Sequence, residues 1–161
     1  IEHIGFPVKN IETKELDLNL RHDFNFLCVA QMGPRKNIQG VINAFVEEFK
    51  NDDVGLLLKI NGANDSVIDY HNIAQTFTEV TNLSKKEGWK CSINFLHGNL
   101  TDEQMSGLYN NEKVKAMVSL SHGEGFGLPL YEAAYNNVHT MSFVLDYIHY
   151  LTVEYSYSSS S

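Results

Sequence analysis

The stretch "VKAMVSLSHGEGFGLPLYEAA", residues 114–134, decides the fold. Its first seven positions form an apolar run of strand length. Gly123, Gly125 and Gly127 follow, then Pro129. Proline fits the first turn of a helix, where its missing N–H costs nothing. A helix is therefore expected to start near Gly127 or Leu128. The unit reads strand, glycine turn, helix.

The same unit recurs upstream. "FNFLCVA" (24–30) is an apolar strand, and "NIQGVINAFVEEFK" after it sets Ile38, Val41, Ile42, Phe45, Val46 and Phe49 on one helical face. "VGLLLKI" (54–60) is a second strand, followed by a weaker helical pattern from about Ser66 to Lys86. "KCSINFLH" (90–97) is a third strand. Thr101 with Gln104 three residues later fits a capping box at the start of the next helix. Strands that are apolar throughout belong in parallel sheets covered on both faces. Strands alternating with helices give βαβ units. The fold class is α/β, a Rossmann-like, doubly wound, mostly parallel sheet flanked by helices. In such sheets ligands bind beyond the carboxyl ends of the strands. The turns "QMGPRKN" and "SHGEGFGLP" both lie at that edge.

The domain is expected over residues 23–155, with 1–22 as a lead-in or linker and 156–161 ("SYSSSS") as a disordered tail. "FVLDYIHYLTVEY" (143–155) permits a helix or a strand, and its helical spacing favours the helix.

Totals narrow the function. The 161 residues carry 43% hydrophobic and 20% charged side chains, an ordinary globular composition. The net charge of −8, without a dense Lys/Arg cluster, argues against nucleic acid as a partner. No apolar run reaches the ~18 residues of a spanning helix, and no basic-then-apolar leader opens the chain. Cys28 and Cys91 sit in apolar runs and read as buried, reduced thiols, which points to the cytoplasm. The histidines are scattered, so no metal site is expected.

What could the glycine turn hold? Glycines let a ligand approach the backbone, and the free N–H groups of the helix start favour an anion. The helix dipole adds only ~0.3–1 kcal/mol, or up to ~2 when partly buried. Micromolar binding needs roughly 8 kcal/mol. Cations must contribute, and Arg35 and Lys36 lie on the turn after the first strand, at the same edge. Glu132 would repel a phosphate but could accept hydrogen bonds from sugar hydroxyls beside one. Glu124 can reach across the same cavity. A diphosphate between two hydroxyl-bearing groups fits this layout, and a nucleotide-sugar is such a molecule. Each feature alone is more often plain structure; the combination carries the weight.

Taken together, "FLCVAQMGPRKNIQGVINAF" (26–45), "INFLHGNLTDEQMSGLYNN" (93–111) and the opening stretch resemble the C-terminal, donor-binding half of GT-B-fold retaining glycosyltransferases, the group 1 family. Glu124 and Glu132 match the family's E-x7-E signature. The resemblance implies catalytic roles for Glu124 at the donor sugar and for Arg35 and Lys36 at the leaving diphosphate. It implies that Glu132 binds the ribose, that the backbone of Gly125, Phe126, Gly127 and Leu128 holds the diphosphate, and that His97, Gly98 and Asn99 line the base pocket. Sugar transfer with retention would follow by leaving-group stabilisation, without metal or cofactor beyond the nucleotide-diphospho-sugar donor. Two departures stand out. Gln31 replaces an arginine that many members carry, and "VHTMSFVLDYIHYL" (138–151) matches poorly the strand the family places there. "GFPVKN" (5–10) is similar to the linker after an N-terminal acceptor-binding domain, so that domain is an expected partner, without which the chain is expected to be inactive. The alternatives are a catalytically inactive nucleotide-sugar-binding module, or another GT-B-type enzyme such as a nucleotide-sugar epimerase.

Overall fold

The computed structural model describes residues 11–61, 67–125 and 127–142. Five strands alternate with four helices: β1 (Asn25–Gln31), α1 (Ile38–Phe49), β2 (Gly55–Asn61), α2 (Val67–Glu87), β3 (Ser92–His97), α3 (Asp102–Tyr109), β4 (Val114–Ser119), α4 (Leu128–Tyr135) and β5 (His139–Ser142). The sheet order is β3-β2-β1-β4-β5, and every pairing is parallel. The expected α/β, Rossmann-like class is the one observed.

Alternation along the strands divides the core into two layers. Cys28, Leu56, Leu58 and Ile60 pack with Ile38, Val41, Ile42 and Phe45 of α1 and Ile73 of α2. Leu27, Leu57 and Met117 point the other way, against Leu108 and Tyr109 of α3 and Ala133 of α4. Leu27, Leu56 and Leu58 are wholly buried. Each such leucine contributes roughly 1.5–3 kcal/mol relative to exposure. This two-sided demand is why the inner strands read as apolar throughout. The capping box forms as expected: the Gln104 amide donates to Thr101 Oγ1 at 3.3 Å, and the Thr101 amide donates to Gln104 Oε1 at 2.9 Å.

Two segments differ from expectation. A strand does follow "EAAYNN": β5 pairs with β4 from Ala116↔His139 to Ser119↔Ser142. All four of its residues are exposed, so no apolar run announces it. Residues 11–22 carry no helix or strand, yet they are packed rather than peripheral. Leu20 is buried among Leu27, Leu108 and Val114. The Lys14 amide donates to the Glu103 carbonyl at 3.0 Å, and Lys113 Nζ donates to the Leu20 carbonyl at 2.9 Å. The expected helix over 143–155 and the tail over 156–161 lie outside the described residues. Among the described residues no helix is long and apolar enough to cross a membrane.

Gly107 sets how closely this lead-in lies on α3. A Cβ there would sit 1.8 Å from the Lys14 carbonyl oxygen, which is backbone and cannot swing aside. Gly107→Ala gains at most about 1 kcal/mol in helix propensity. The clash costs about 1–3 kcal/mol and decides the sign. The expected outcome is a lower urea midpoint and faster tryptic cleavage after Lys14; an unchanged midpoint and cleavage rate would show that the segment is not held there.

Candidate functional site

The site begins with the direction of the connections. β1 leads through α1 to β2 on one side, while β4 leads through α4 to β5 on the other, and β1 and β4 are neighbours. The helices that follow therefore cover opposite faces of the sheet, and the edge between β1 and β4 is the topological switch point, the place where ligands bind in open α/β sheets.

After β1 the chain makes a short 3-10 turn, Pro34–Lys36, and enters α1 through Asn37 in the left-handed region at φ 49°. Asn37 Nδ2 donates to the Leu120 carbonyl at 3.1 Å, across the crevice. Gly40 leaves room for this, since a Cβ there would lie 2.5 Å from the Asn37 amide. The His122 amide donates to the Arg35 carbonyl at 2.8 Å, and Arg35 Nη1 donates to the Gly123 carbonyl. Lys36 Nζ donates to Glu124 Oε1 at 2.5 Å, with Arg35 Nη1 3.8 Å from Glu124 Oε2. The three residues expected to be catalytic thus form one cluster. Side-chain exposure is 14% for Lys36 and 19% for Glu124, but 60% for Arg35. The lysine pair is largely shielded from water, while the guanidinium faces solvent.

Electrostatics follow this geometry. Burial pushes the Glu124 carboxyl up, but the hydrogen bond from Lys36 and the charges of Lys36 and Arg35 hold it below its ordinary value. A depressed folded value means that this stabilisation is complete above the ordinary carboxylate range and is lost as pH falls through the folded value. Beneath the cluster, burial pushes the Cys28 thiol up to about 12, so Cys28 is a packing residue and no nucleophile.

Gly127 caps α4 at φ 70°, a left-handed conformation that glycine adopts without strain. Leu128 opens the helix and Pro129 follows, so the helix starts at the residue the sequence pointed to. Gly125 is exposed on the turn, and Phe126 lies outside the described residues. Glu132 meets a different partner from Glu124. The hydroxyl of the buried Tyr109, on α3, donates to Glu132 Oε2 at 3.2 Å. Burial raises the Glu132 carboxyl, the Tyr109 hydrogen bond opposes this, and the nearby Asp102 charge adds to it. Burial, then the Glu132 charge and hydrogen bond, raise the Tyr109 phenol as well.

His97, Gly98 and Asn99 lie at the end of β3, the far end of the same edge. Three strand spacings separate β3 from β4, roughly 14 Å. The His97 ring stands edge-on to Tyr70 with centroids 5.6 Å apart. Gly98 turns at φ 104°, and its carbonyl accepts from Lys59 Nζ at 2.7 Å. Lys59 also donates to Asn61 Oδ1, and Asn61 Nδ2 donates to Asn99 Oδ1 at 2.8 Å. Lys59, Asn61, Asn37 and Tyr109 were not singled out from the sequence. Lys59 alone left a signal there: one lysine inside the run "VGLLLKI".

Fold and edge define a Rossmann-like domain with a cationic cluster at its switch point. The sequence model of the glycosyl transferases group 1 family matches residues 11–144, and the chain belongs to that family. Two curated proteins called "Serotype-specific mannosyltransferase WbdA", from Escherichia coli, are each 33% identical to it over 110 residues, covering 68% of this chain. The chain spans only 12% of the length of these relatives. Among solved structures, the C-terminal domain of the group 1 family protein LpcC from Francisella tularensis superposes with a TM-score of 0.57 at 17% identity, over 77% of this chain and 60% of that one. The Escherichia coli structure "Trehalose-6-phosphate from E. coli bound with UDP-2-fluoro glucose" gives 0.55 at 12% identity, over 70% and 26%. At such identities the likeness speaks for the fold.

The Tyr109–Glu132 contact generates a prediction. Tyr109→Phe removes the one hydrogen bond that eases ionisation of Glu132, so its carboxyl rises further. The variant is expected to lose about 1–2 kcal/mol at neutral pH, less than the full worth of a hydrogen bond to a charge because Glu132 is partly solvated. The loss should shrink at acid pH, where Glu132 is protonated in both proteins. Urea midpoints across pH check this, and a pH-independent difference would assign Tyr109 to packing alone.

Proposed function

We propose that this chain is the donor-binding part of a glycosyltransferase, taking a nucleotide-diphospho-sugar and passing its sugar to an acceptor with retention. One observation carries the reading: Arg35 and Lys36, leaving β1, converge on the turn that leaves β4. Two cations then stand beside a helix start at the switch point, where a diphosphate would gain charge-assisted hydrogen bonds.

In this reading Lys36 and Arg35 neutralise the leaving diphosphate as its bond to the anomeric carbon lengthens. The charge that develops meets groups already oriented by the fold, which is how electrostatic preorganisation lowers a barrier. The α4 start at Gly127 and Leu128 adds backbone donors. Glu132, fixed by Tyr109, accepts from the ribose hydroxyls. The turn at His97, Gly98 and Asn99 receives the base, and a molecule with base, ribose and diphosphate has the reach to join both ends of the edge. The positive charge comes from side chains, with no cofactor beyond the donor. The relatives' names make mannose the first sugar to test. Acceptor binding is assigned to a separate N-terminal domain, which turnover would also require, and the unbridged buried thiols fit a cytoplasmic setting.

Calorimetric titration with UDP, GDP and ADP tests the reading. One nucleotide should bind saturably. Lys36→Ala should weaken it about tenfold or more, the loss of a single charge-assisted contact. Glu132→Ala should weaken nucleotides but leave inorganic pyrophosphate unaffected. No nucleotide binding by the folded chain, or binding indifferent to Lys36, would remove the donor site.

A further inference from the structure

The donor site described above already contains an anion of its own. Glu124 Oε1 accepts from Lys36 Nζ at 2.5 Å, and Arg35 Nη1 stands 3.8 Å from Oε2. Both cations that a diphosphate would use are turned toward this carboxylate. The contact is not a loose surface pair, since Lys36 and Glu124 are both largely covered. A diphosphate placed on Lys36 would lie within a side chain's length of Glu124, where two anions repel strongly in a partly dehydrated crevice. Ligand and carboxylate therefore compete for the same ammonium group.

From this geometry we infer that Glu124 is an exchangeable counterion that selects sugar-loaded donor over free nucleoside diphosphate. Resting on the donor-site reading, the exchange works as follows. The diphosphate takes Lys36 and Arg35, and Glu124 gives them up. A free nucleoside diphosphate leaves the displaced carboxylate without new donors. A nucleotide-sugar brings hydroxyls beside the diphosphate, and these donate to the carboxylate just released. The same residue penalises the spent product and rewards the loaded donor.

A purely structural role for Glu124 predicts the opposite sign. If the carboxylate only ties the two turns together, neutralising it loosens Arg35 and Lys36 and weakens every ligand. If it is a displaced counterion, neutralising it strengthens the ligands that have nothing to offer in return.

The test compares wild type, Glu124→Gln and Glu124→Ala by calorimetry with GDP, GDP-mannose, UDP, UDP-glucose and inorganic pyrophosphate, after circular dichroism confirms folding. Both variants should bind the preferred free nucleoside diphosphate and pyrophosphate about tenfold tighter, the ratio that follows when one charge-assisted contact no longer has to be broken. Wild type should prefer the sugar-bearing ligand, and the variants should lose that preference. Nucleotide binding that both substitutions leave unchanged or weaken overturns the exchange while the donor site stands. No nucleotide binding by any of the three proteins overturns the donor site and the exchange with it.

Discussion

Right-handed crossover between parallel strands is the constraint on which this structure depends. A parallel pair cannot be closed by a tight turn, so each connection must carry a helix over one face of the sheet. Handedness then fixes the face by the direction of travel. From β1 to β2 to β3 the chain moves one way, and α1 and α2 cover one layer of the core. From β3 it returns past β1 to β4, and α3 and α4 cover the other. The reversal opens a crevice between β1 and β4. Nothing in the glycine turn alone would make a site; placed at that reversal, it faces the only turn in the sequence with adjacent Arg and Lys.

The sequence was legible where burial is two-sided and opaque where it is not. β1, β2 and α1 announce themselves because most strand positions, or every third and fourth helix position, are apolar. The start of α3 is legible for a local reason, since a capping box needs only residues three apart. β5 is an exposed edge strand, "HTMS", whose pairing is made by backbone groups that carry no side-chain signature. Residues 11–22 pack by carbonyl contacts and a few leucines, against a helix ninety positions away. Their register is set by the missing side chain of Gly107, which composition cannot reveal.

The cluster of Arg35, Lys36 and Glu124 could be anticipated because fold class alone brings the turns after β1 and β4 to one edge. That Lys36 already holds Glu124 could not, because it depends on side-chain reach across 88 residues of sequence. Tyr109 and Lys59 were hidden for opposite reasons. Tyr109 sits in a helix as one more buried aromatic, and only the fold shows its hydroxyl at Glu132. Lys59 is a buried cation in the middle of an apolar strand, a conflict with local pattern of the kind expected near functional sites. Its ammonium is satisfied by the Gly98 carbonyl and Asn61, so the cost of burying it is offset by holding the turn that follows β3.

Magnitudes divide the labour along this edge. Two charge-assisted contacts from Arg35 and Lys36 would contribute about 3–6 kcal/mol, and the α4 start no more than about 2. In the proposed exchange, part of that would be given back to release Glu124 from Lys36. In the donor-site reading the diphosphate end would therefore capture an anion but would not reach tight binding unaided. In the same reading, recognition of base and ribose would have to come from the remainder of the edge, where Glu132 accepts from Tyr109 and the Gly98–Asn99 turn is held by Lys59 and Asn61. These supports matter because a hydrogen-bonding group already held in place loses little freedom when a ligand arrives. Charge is concentrated at the reversal of the sheet, in Arg35, Lys36 and Glu124, and oriented polar groups stand elsewhere along the edge. If the donor-site reading holds, such an arrangement would let a common diphosphate be gripped while the groups attached to it decide what is accepted.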